Sequence, residues 1–169
     1  MQIEIEPLKK VTLDGIDIYL SMERAAVASR LGGGDAAAHR CYYYDNELAI
    51  DYDEDGKVEF IEFLGGADGR LKPFIYGVSV FDTDADDLYA ILQQQNQGGI
   101  DDSEGGYSYA FLNLSVGIYR EATPEDAAEM IEEAKREGCP LSDEEIADEM
   151  KRAHRWATIG IGTAGYYQR

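Results

Sequence analysis

The chain has 169 residues, and its 34 acidic against 15 basic side chains leave a net charge of −19 at pH 7. A chain of this length can bury roughly two thirds of its unfolded surface, so it needs no disulfide or metal to fold. The charge repels nucleic acids and anionic lipids, and no apolar segment approaches the roughly 20 residues that cross a membrane. We therefore expect a single domain, 1–169, with no nucleic-acid or membrane partner.

The compartment is predicted from the N-terminus and from the cysteines. Acidic residues stand where a signal peptide needs basic ones, and no apolar core follows them. Cys41 and Cys139 lie far apart and form no CxxC pattern. They could pair as one disulfide, but reduced thiols in a reducing compartment fit a chain of this size better. We expect a cytoplasmic protein.

The first predicted unit, about 12–66, contains a strand, a helix and two further strands. Residues 15–21 are apolar at alternate positions and end in a serine that can cap a helix over 22–31, which the glycines 32–34 stop. Leu48–Tyr52 and Val58–Phe63 also alternate. The sequence Asp-Glu-Asp-Gly between them is a strong hairpin signal.

The second predicted unit, about 74–167, repeats this order. Residues 77–83 match 15–21 in their glycine, their alternating apolar positions and their final hydroxyl residue, and a helix follows over 84–94. The segments 114–119 and 157–162 are the remaining predicted strands. The predicted fold class is α+β, with tandem duplicated β-α-β-β units that form one antiparallel sheet with helices on one face.

An insertion in the second unit, 122–155, is predicted to form a helical hairpin. Thr123 and Pro124 begin its first helix, Gly138 ends it, and Ser142 begins the second. Each helix has one apolar stripe, and most acids fall on the opposite face. Between residues 123 and 150 there are eleven acids against two bases, a net of −9, so about half of the excess charge lies in this segment.

An acidic hairpin of this kind attracts a basic protein, although high acidity also serves solubility. The twelve tyrosines offer aromatic contacts to a partner, or they are strand residues with an apolar ring and a solvated hydroxyl. Both interpretations stay open. The candidate partner-binding residues are Glu125, Glu129, Glu132, Glu133, Glu144, Glu145, Asp148, Tyr42, Tyr44 and Tyr107.

The sharpest local motif is the segment 51–62, which matches the twelve-residue calcium-binding loop. Its candidate metal ligands are Asp51, Asp53, Asp55, Glu59 and Glu62. Such a loop lies between two helices, whereas the residues that flank this one alternate as strands do. We expect a β-hairpin here and keep calcium binding as the alternative.

Signatures of catalysis are weak. The two histidines, His39 and His154, are both explained by structural roles, and the glycine runs lack the spacing of a phosphate-binding loop. We predict no catalytic residue and no cofactor, and therefore a protein that is not an enzyme. The alternative is an active site at the junction of the two units, built from His39, Asp51 and Arg120.

Two segments carry a resemblance to known proteins. They are YYDNELAIDYDEDGKVEFIE at 43–62 and TIGIGTAGYY at 158–167. Together with the duplicated layout, they resemble small bacterial proteins of unassigned function that lie beside secreted-toxin genes as immunity proteins. The layout over 12–167 is also similar to the tandem repeat of the beta-lactamase inhibitor protein. The resemblance implies an inhibitor or immunity-type protein without catalytic residues.

The acidic hairpin and the scarcity of cysteines differ from that secreted inhibitor, so its particular target is not implied. Charge and resemblance together predict a non-catalytic protein-binding module that neutralises a basic protein partner, such as a toxin nuclease. Complementary charge would speed the encounter of the two proteins, and buried aromatic side chains would supply much of the affinity.

Overall fold

The computed structural model describes all residues, 1–169, as four α-helices and thirteen β-strands in two sheets. The helices are α1 (Arg24–Leu31), α2 (Ala85–Asn96), α3 (Pro124–Arg136) and α4 (Asp143–Ala153). The strands are β1 (Ile3–Glu6), β2 (Lys10–Leu13), β3 (Ile16–Tyr19), β4 (Asp35–Ala37), β5 (Arg40–Tyr43), β6 (Leu48–Tyr52), β7 (Val58–Phe63), β8 (Pro73–Ile75), β9 (Val78–Ser79), β10 (Ile100–Asp101), β11 (Ser108–Phe111), β12 (Val116–Tyr119) and β13 (Thr158–Gly162).

The smaller sheet has five strands in the order β3-β2-β1-β8-β9. Its central strand β1 alternates between the buried Ile3 and Ile5 and the exposed Glu4 and Glu6, which is the pattern of a strand with one face on the core. β1 pairs antiparallel with β2 and parallel with β8, and the other pairs in this sheet are antiparallel.

The larger sheet has eight strands, all antiparallel, in the order β10-β11-β12-β13-β7-β6-β5-β4. At its centre β7 pairs with β13, which places Ile61 opposite Ile161 and Phe63 opposite Ile159. These four side chains are buried and belong to one core cluster of 27 residues. The cluster also contains residues of the smaller sheet, α1 and α2, so the two sheets share a single core.

The structure confirms the mixed α+β class, the helices after Ser21 and Thr83, the β6–β7 hairpin and the inserted helical hairpin. The prediction of one antiparallel sheet is wrong, because there are two sheets and one pair of strands is parallel. The segment 77–83 joins the smaller sheet, where only Val78–Ser79 is a strand. The predicted layout lacked β1, which precedes both predicted units in the sequence and lies between β2 and β8 in the smaller sheet.

Glu47 ties the β5–β6 turn to the segment that leads from β7 to β8. One carboxylate oxygen accepts the backbone N–H of Arg70 at 3.0 Å, and the other accepts the N–H of Leu71 at 2.7 Å. Burial by itself raises the pKa of the Glu47 carboxyl, but these hydrogen bonds and the nearby Arg70 guanidinium outweigh it and hold the pKa below its ordinary value. The folded state is therefore stabilised by the ionised carboxylate.

We expect Glu47→Gln to lower the free energy of unfolding by about 1–3 kcal/mol near neutral pH, because an amide cannot accept both N–H groups. A carboxyl with a lowered pKa stabilises the fold above its unfolded-state pKa and loses that effect as the pH falls through its folded-state pKa. The difference between variant and wild type should thus shrink toward about pH 3, as measured by urea unfolding.

The matched control is Glu4→Gln, since Glu4 is exposed and lies on β1 with its side chain in solvent. Its unfolding free energy should stay within about 0.5 kcal/mol of the wild type at both pH values. A Glu47→Gln deficit that persists unchanged at acidic pH would show that the carboxylate charge has no part in it.

Candidate functional site

The inserted helical hairpin, which we call the arm, consists of α3 and α4. Its helix starts are defined by two capping boxes. The Thr123 hydroxyl accepts the N–H of Asp126 at 3.2 Å while the Asp126 carboxylate accepts the N–H of Thr123 at 3.1 Å. Ser142 and Glu145 do the same for α4. These local bonds explain why both helices begin at the residues predicted from the sequence.

The arm packs mainly on itself. α3 and α4 contact each other far more than they contact the strands. Only Ala127 and Ile131 of α3 and Ala153 of α4 are buried, and Met130 is 41% exposed. The arm therefore offers most of its surface to solvent.

The acidic candidate residues lie on this solvent-exposed surface. Glu125, Glu129, Glu132, Glu133, Glu144, Glu145 and Asp148 are all exposed. Glu132 has a basic partner, Lys135, at 3.3 Å on the same helix. The hydrogen bond from Ser142 N–H lowers the pKa of Glu145, which keeps that carboxylate charged. The arm thus presents a negative surface whose charge is largely uncompensated.

Polar contacts fasten the base of the arm to the segment before β11 and to α2. The Tyr107 hydroxyl donates to Asp126 Oδ2 at 2.5 Å, which lowers the pKa of Asp126 and raises that of Tyr107. The Trp156 indole N–H donates to the carbonyl of Ala85 at 2.9 Å. Trp156 therefore connects the end of the arm to α2.

The three candidate tyrosines do not form one surface. Tyr107 is exposed at the base of the arm, just before β11. Tyr42 lies on β5 and Tyr44 follows that strand. β5 and β11 are five strand spacings apart in the larger sheet, about 24 Å. Of the three, only Tyr107 adjoins the acidic arm.

The outer face of the larger sheet carries an ionic cluster that the sequence analysis did not single out. The Arg40 guanidinium donates to both carboxylate oxygens of Asp51, at 2.6 and 2.9 Å, and to Glu62 at 3.1 Å. Burial raises the pKa of Glu62 against the opposing effect of Arg40. Arg40 lies opposite Asp51 in the β5–β6 ladder, a pairing that depends on strand register and has no local signal.

The C-terminal residues cover the same face beside this cluster. The Tyr166 ring stacks on Phe60 with centroids 4.6 Å apart, and burial raises the pKa of the Tyr167 hydroxyl. Gly117 and Gly160 lie opposite each other under Tyr167. The alternating glycines of β13 and the final Tyr-Tyr pair were the available sequence signal, since rings pack where side chains are missing.

The calcium-loop segment is a β-hairpin, as expected. The Asp53 carboxylate accepts the N–H groups of Asp55 and Lys57 in the turn, both at 2.9 Å. Asp51 and Glu62 are bound by Arg40, and Glu59 is bound by Arg169 at 2.9 Å. Asp51, Asp53, Asp55 and Glu59 line one open cleft, but the candidate carboxylates form no group of three that could hold a metal ion.

The residues of the catalytic alternative are also separated. His39 and Asp51 line one open cleft, whereas Arg120 lines a different cavity at the base of the arm. His154 follows α4, with its Nδ1 3.9 Å from Asp84. Cys41 is buried in β5, Cys139 is exposed in the turn between α3 and α4, and both thiols are free.

We expect Gly160→Ala to destabilise the protein by about 1–3 kcal/mol, because its Cβ would overlap the Phe60 ring and force the aromatic cover off the sheet. Gly33→Ala is the control, since a Cβ there meets nothing within 4 Å. Urea unfolding of both variants checks this. Equal stability of Gly160→Ala and wild type would contradict the close packing of the C-terminal residues.

None of the four helices is both long and apolar enough to span a bilayer. No family model, curated protein or solved structure matches the chain.

Proposed function

We propose that this protein is a non-catalytic binding module that neutralises a basic protein partner, and that the arm is its main contact surface. The observation that carries the proposal is the set of exposed and largely unpaired carboxylates on two helices that bury little surface against the rest of the protein. A charged surface of this kind steers an oppositely charged protein and raises its association rate.

The position of the arm supports this role. The arm is inserted between β12 and β13, whose ladder closes at Tyr119 opposite Thr158. The Ala157 N–H donates to the Tyr119 carbonyl at 2.7 Å directly below the insertion. The β12–β13 ladder is therefore complete without the arm. The charges of the arm are thus held away from the core that the strands form.

Tyr107 adds an aromatic contact to the proposed surface. The residue is 38% exposed, and its hydroxyl is fixed by Asp126, so little side-chain entropy is lost when a partner covers it. Tyrosines with an apolar ring and an anchored hydroxyl are common at the centre of protein interfaces. Tyr42 and Tyr44, in contrast, would have to serve a second contact surface.

The duplicated layout, the cytoplasmic location and the immunity-type role belong to the same proposal. The strand order is compatible with duplication, because four strands from residues 35–63 and four from residues 100–162 meet at the β7–β13 ladder. An immunity-type role fits an exposed acidic surface that a basic protein could cover. A secreted nuclease is one class of basic partner with the required charge.

The test uses two variants with the same net charge. The arm variant carries Glu129→Gln, Glu132→Gln, Glu133→Gln and Asp148→Asn, and the control variant carries Glu4→Gln, Glu23→Gln, Glu54→Gln and Asp87→Asn. All eight residues are exposed. We expect a basic protein to be captured from a lysate of the native host by the wild type and by the control variant. The purified partner should bind the arm variant at least about tenfold more weakly, with most of the loss in the association rate.

The salt dependence of binding is the second measurement, because screening weakens the attraction between exposed charges. Affinity for the wild type should fall steeply with ionic strength, and the arm variant should show a shallower dependence. Equal losses in the arm and control variants would assign binding to overall charge and contradict the role of the arm. Capture of no basic protein would contradict the proposed function.

A further inference from the structure

Arg120 is the only buried basic side chain of the protein, with 8% of its surface exposed. Its Nε donates to the carbonyl of Gly106 at 2.7 Å and its Nη1 to the carbonyl of Ala153 at 2.9 Å. The guanidinium also lies over the Trp156 ring, 4.6 Å from its centroid. None of these three partners carries a formal negative charge.

A cation removed from water is normally matched by a carboxylate, because uncompensated burial is costly. Ala153 ends α4, and the negative pole of that helix offsets part of the Arg120 charge. This contact explains how Arg120 fastens the arm. The second terminal nitrogen, Nη2, donates to no acceptor in the protein and is not fully buried, so an added acceptor can reach it.

Arg120 lines a cavity of about 440 Å³ between the base of the arm and the turn after β7. The wall combines polar and apolar groups, with Trp156, Leu64, Ala122 and Ala157 among the apolar ones. Cavities of a few hundred cubic ångströms with convergent polar groups are the usual form of small-molecule sites.

Two further arginines line the cavity, and both have carboxylate partners. Arg152 lies 3.1 Å from Asp68 and 3.5 Å from Glu149, and Arg155 lies 3.8 Å from Asp84. Arg120 is thus the arginine of the cavity that has no carboxylate within ion-pair distance, and the charge it acts on, that of Asp126, is held by Tyr107. Because Asp68, Glu121 and Glu149 also line the wall, a ligand with a single negative charge fits better than a phosphate dianion.

We propose that this cavity binds a small organic monocarboxylate, whose carboxylate pairs with Arg120 and whose apolar part lies beside Trp156 and the alanines. Arginine is well suited to this ligand, since its planar fork matches carboxylate geometry. The site lies at the base of the arm, so its occupant would contact the groups that hold the arm to the body. It stands independently of the proposed protein partner.

The test is a titration of isotope-labelled full-length protein with benzoate, followed by amide NMR spectra. Benzyl alcohol, which has the same ring without the charge, and inorganic phosphate are titrated in parallel. We expect saturable shifts in the millimolar range at Gly65, Gly66, Ala122 and the Trp156 indole N–H. Binding of benzyl alcohol and phosphate should be at least about tenfold weaker, because hydrogen bonds to charged groups contribute the difference.

Two variants fill the cavity from different segments, Ala67→Leu and Ala122→Leu, and either one that keeps a folded spectrum should lose benzoate binding. Arg30→Gln, on an exposed arginine of α1, is the control and should bind as the wild type does. The proposal is overturned if benzoate gives no saturable shifts, if the shifts map away from the cavity, if benzyl alcohol binds equally well, or if a folded cavity-filling variant still binds.

Discussion

The ladder between β7 and β13 is the interaction on which the rest of the structure depends. Within the larger sheet it is the only link between the strands of 35–63 and those of 100–162. On its inner face Ile61, Phe63, Ile159 and Ile161 are buried in the common core. Burial of four large apolar side chains at one ladder contributes several kcal/mol, enough to hold the two halves as one unit.

On the outer face of the same ladder, β13 must carry small residues. Phe60 and the C-terminal tyrosines lie directly over it, which leaves no room for a side chain at Gly160. The large Phe60 side chain of β7 therefore packs over a glycine of β13. This arrangement lets Tyr166 and Tyr167 cover the sheet without disturbing the core beneath, and it places the Arg40 cluster beside an aromatic surface.

The arm is stabilised by different interactions from the rest of the protein. Its helices depend on local capping and on their mutual contact, and little of their surface is shared with the strands. Solvent and salt screen the repulsion among exposed carboxylates, so the arm tolerates a charge density that a buried surface could not. The buried polar contacts of the arm are concentrated at its base, where a buried arginine and a buried tryptophan connect the charged helices to the core.

Short-range patterns predicted the arm, its capping residues and its exposed acids, as well as the β6–β7 hairpin, because each depends on residues within a few positions of one another. Strand order and register are long-range properties, so the Arg40–Asp51–Glu62 cluster, the second sheet and the distance between Tyr42 and Tyr107 had no local signal. The sequence by itself determined the acidity, the helices and the main strands. Only the tertiary structure decided which side chains meet, because partners such as Arg120 and Ala153, 33 positions apart, are brought together by the packing of whole elements.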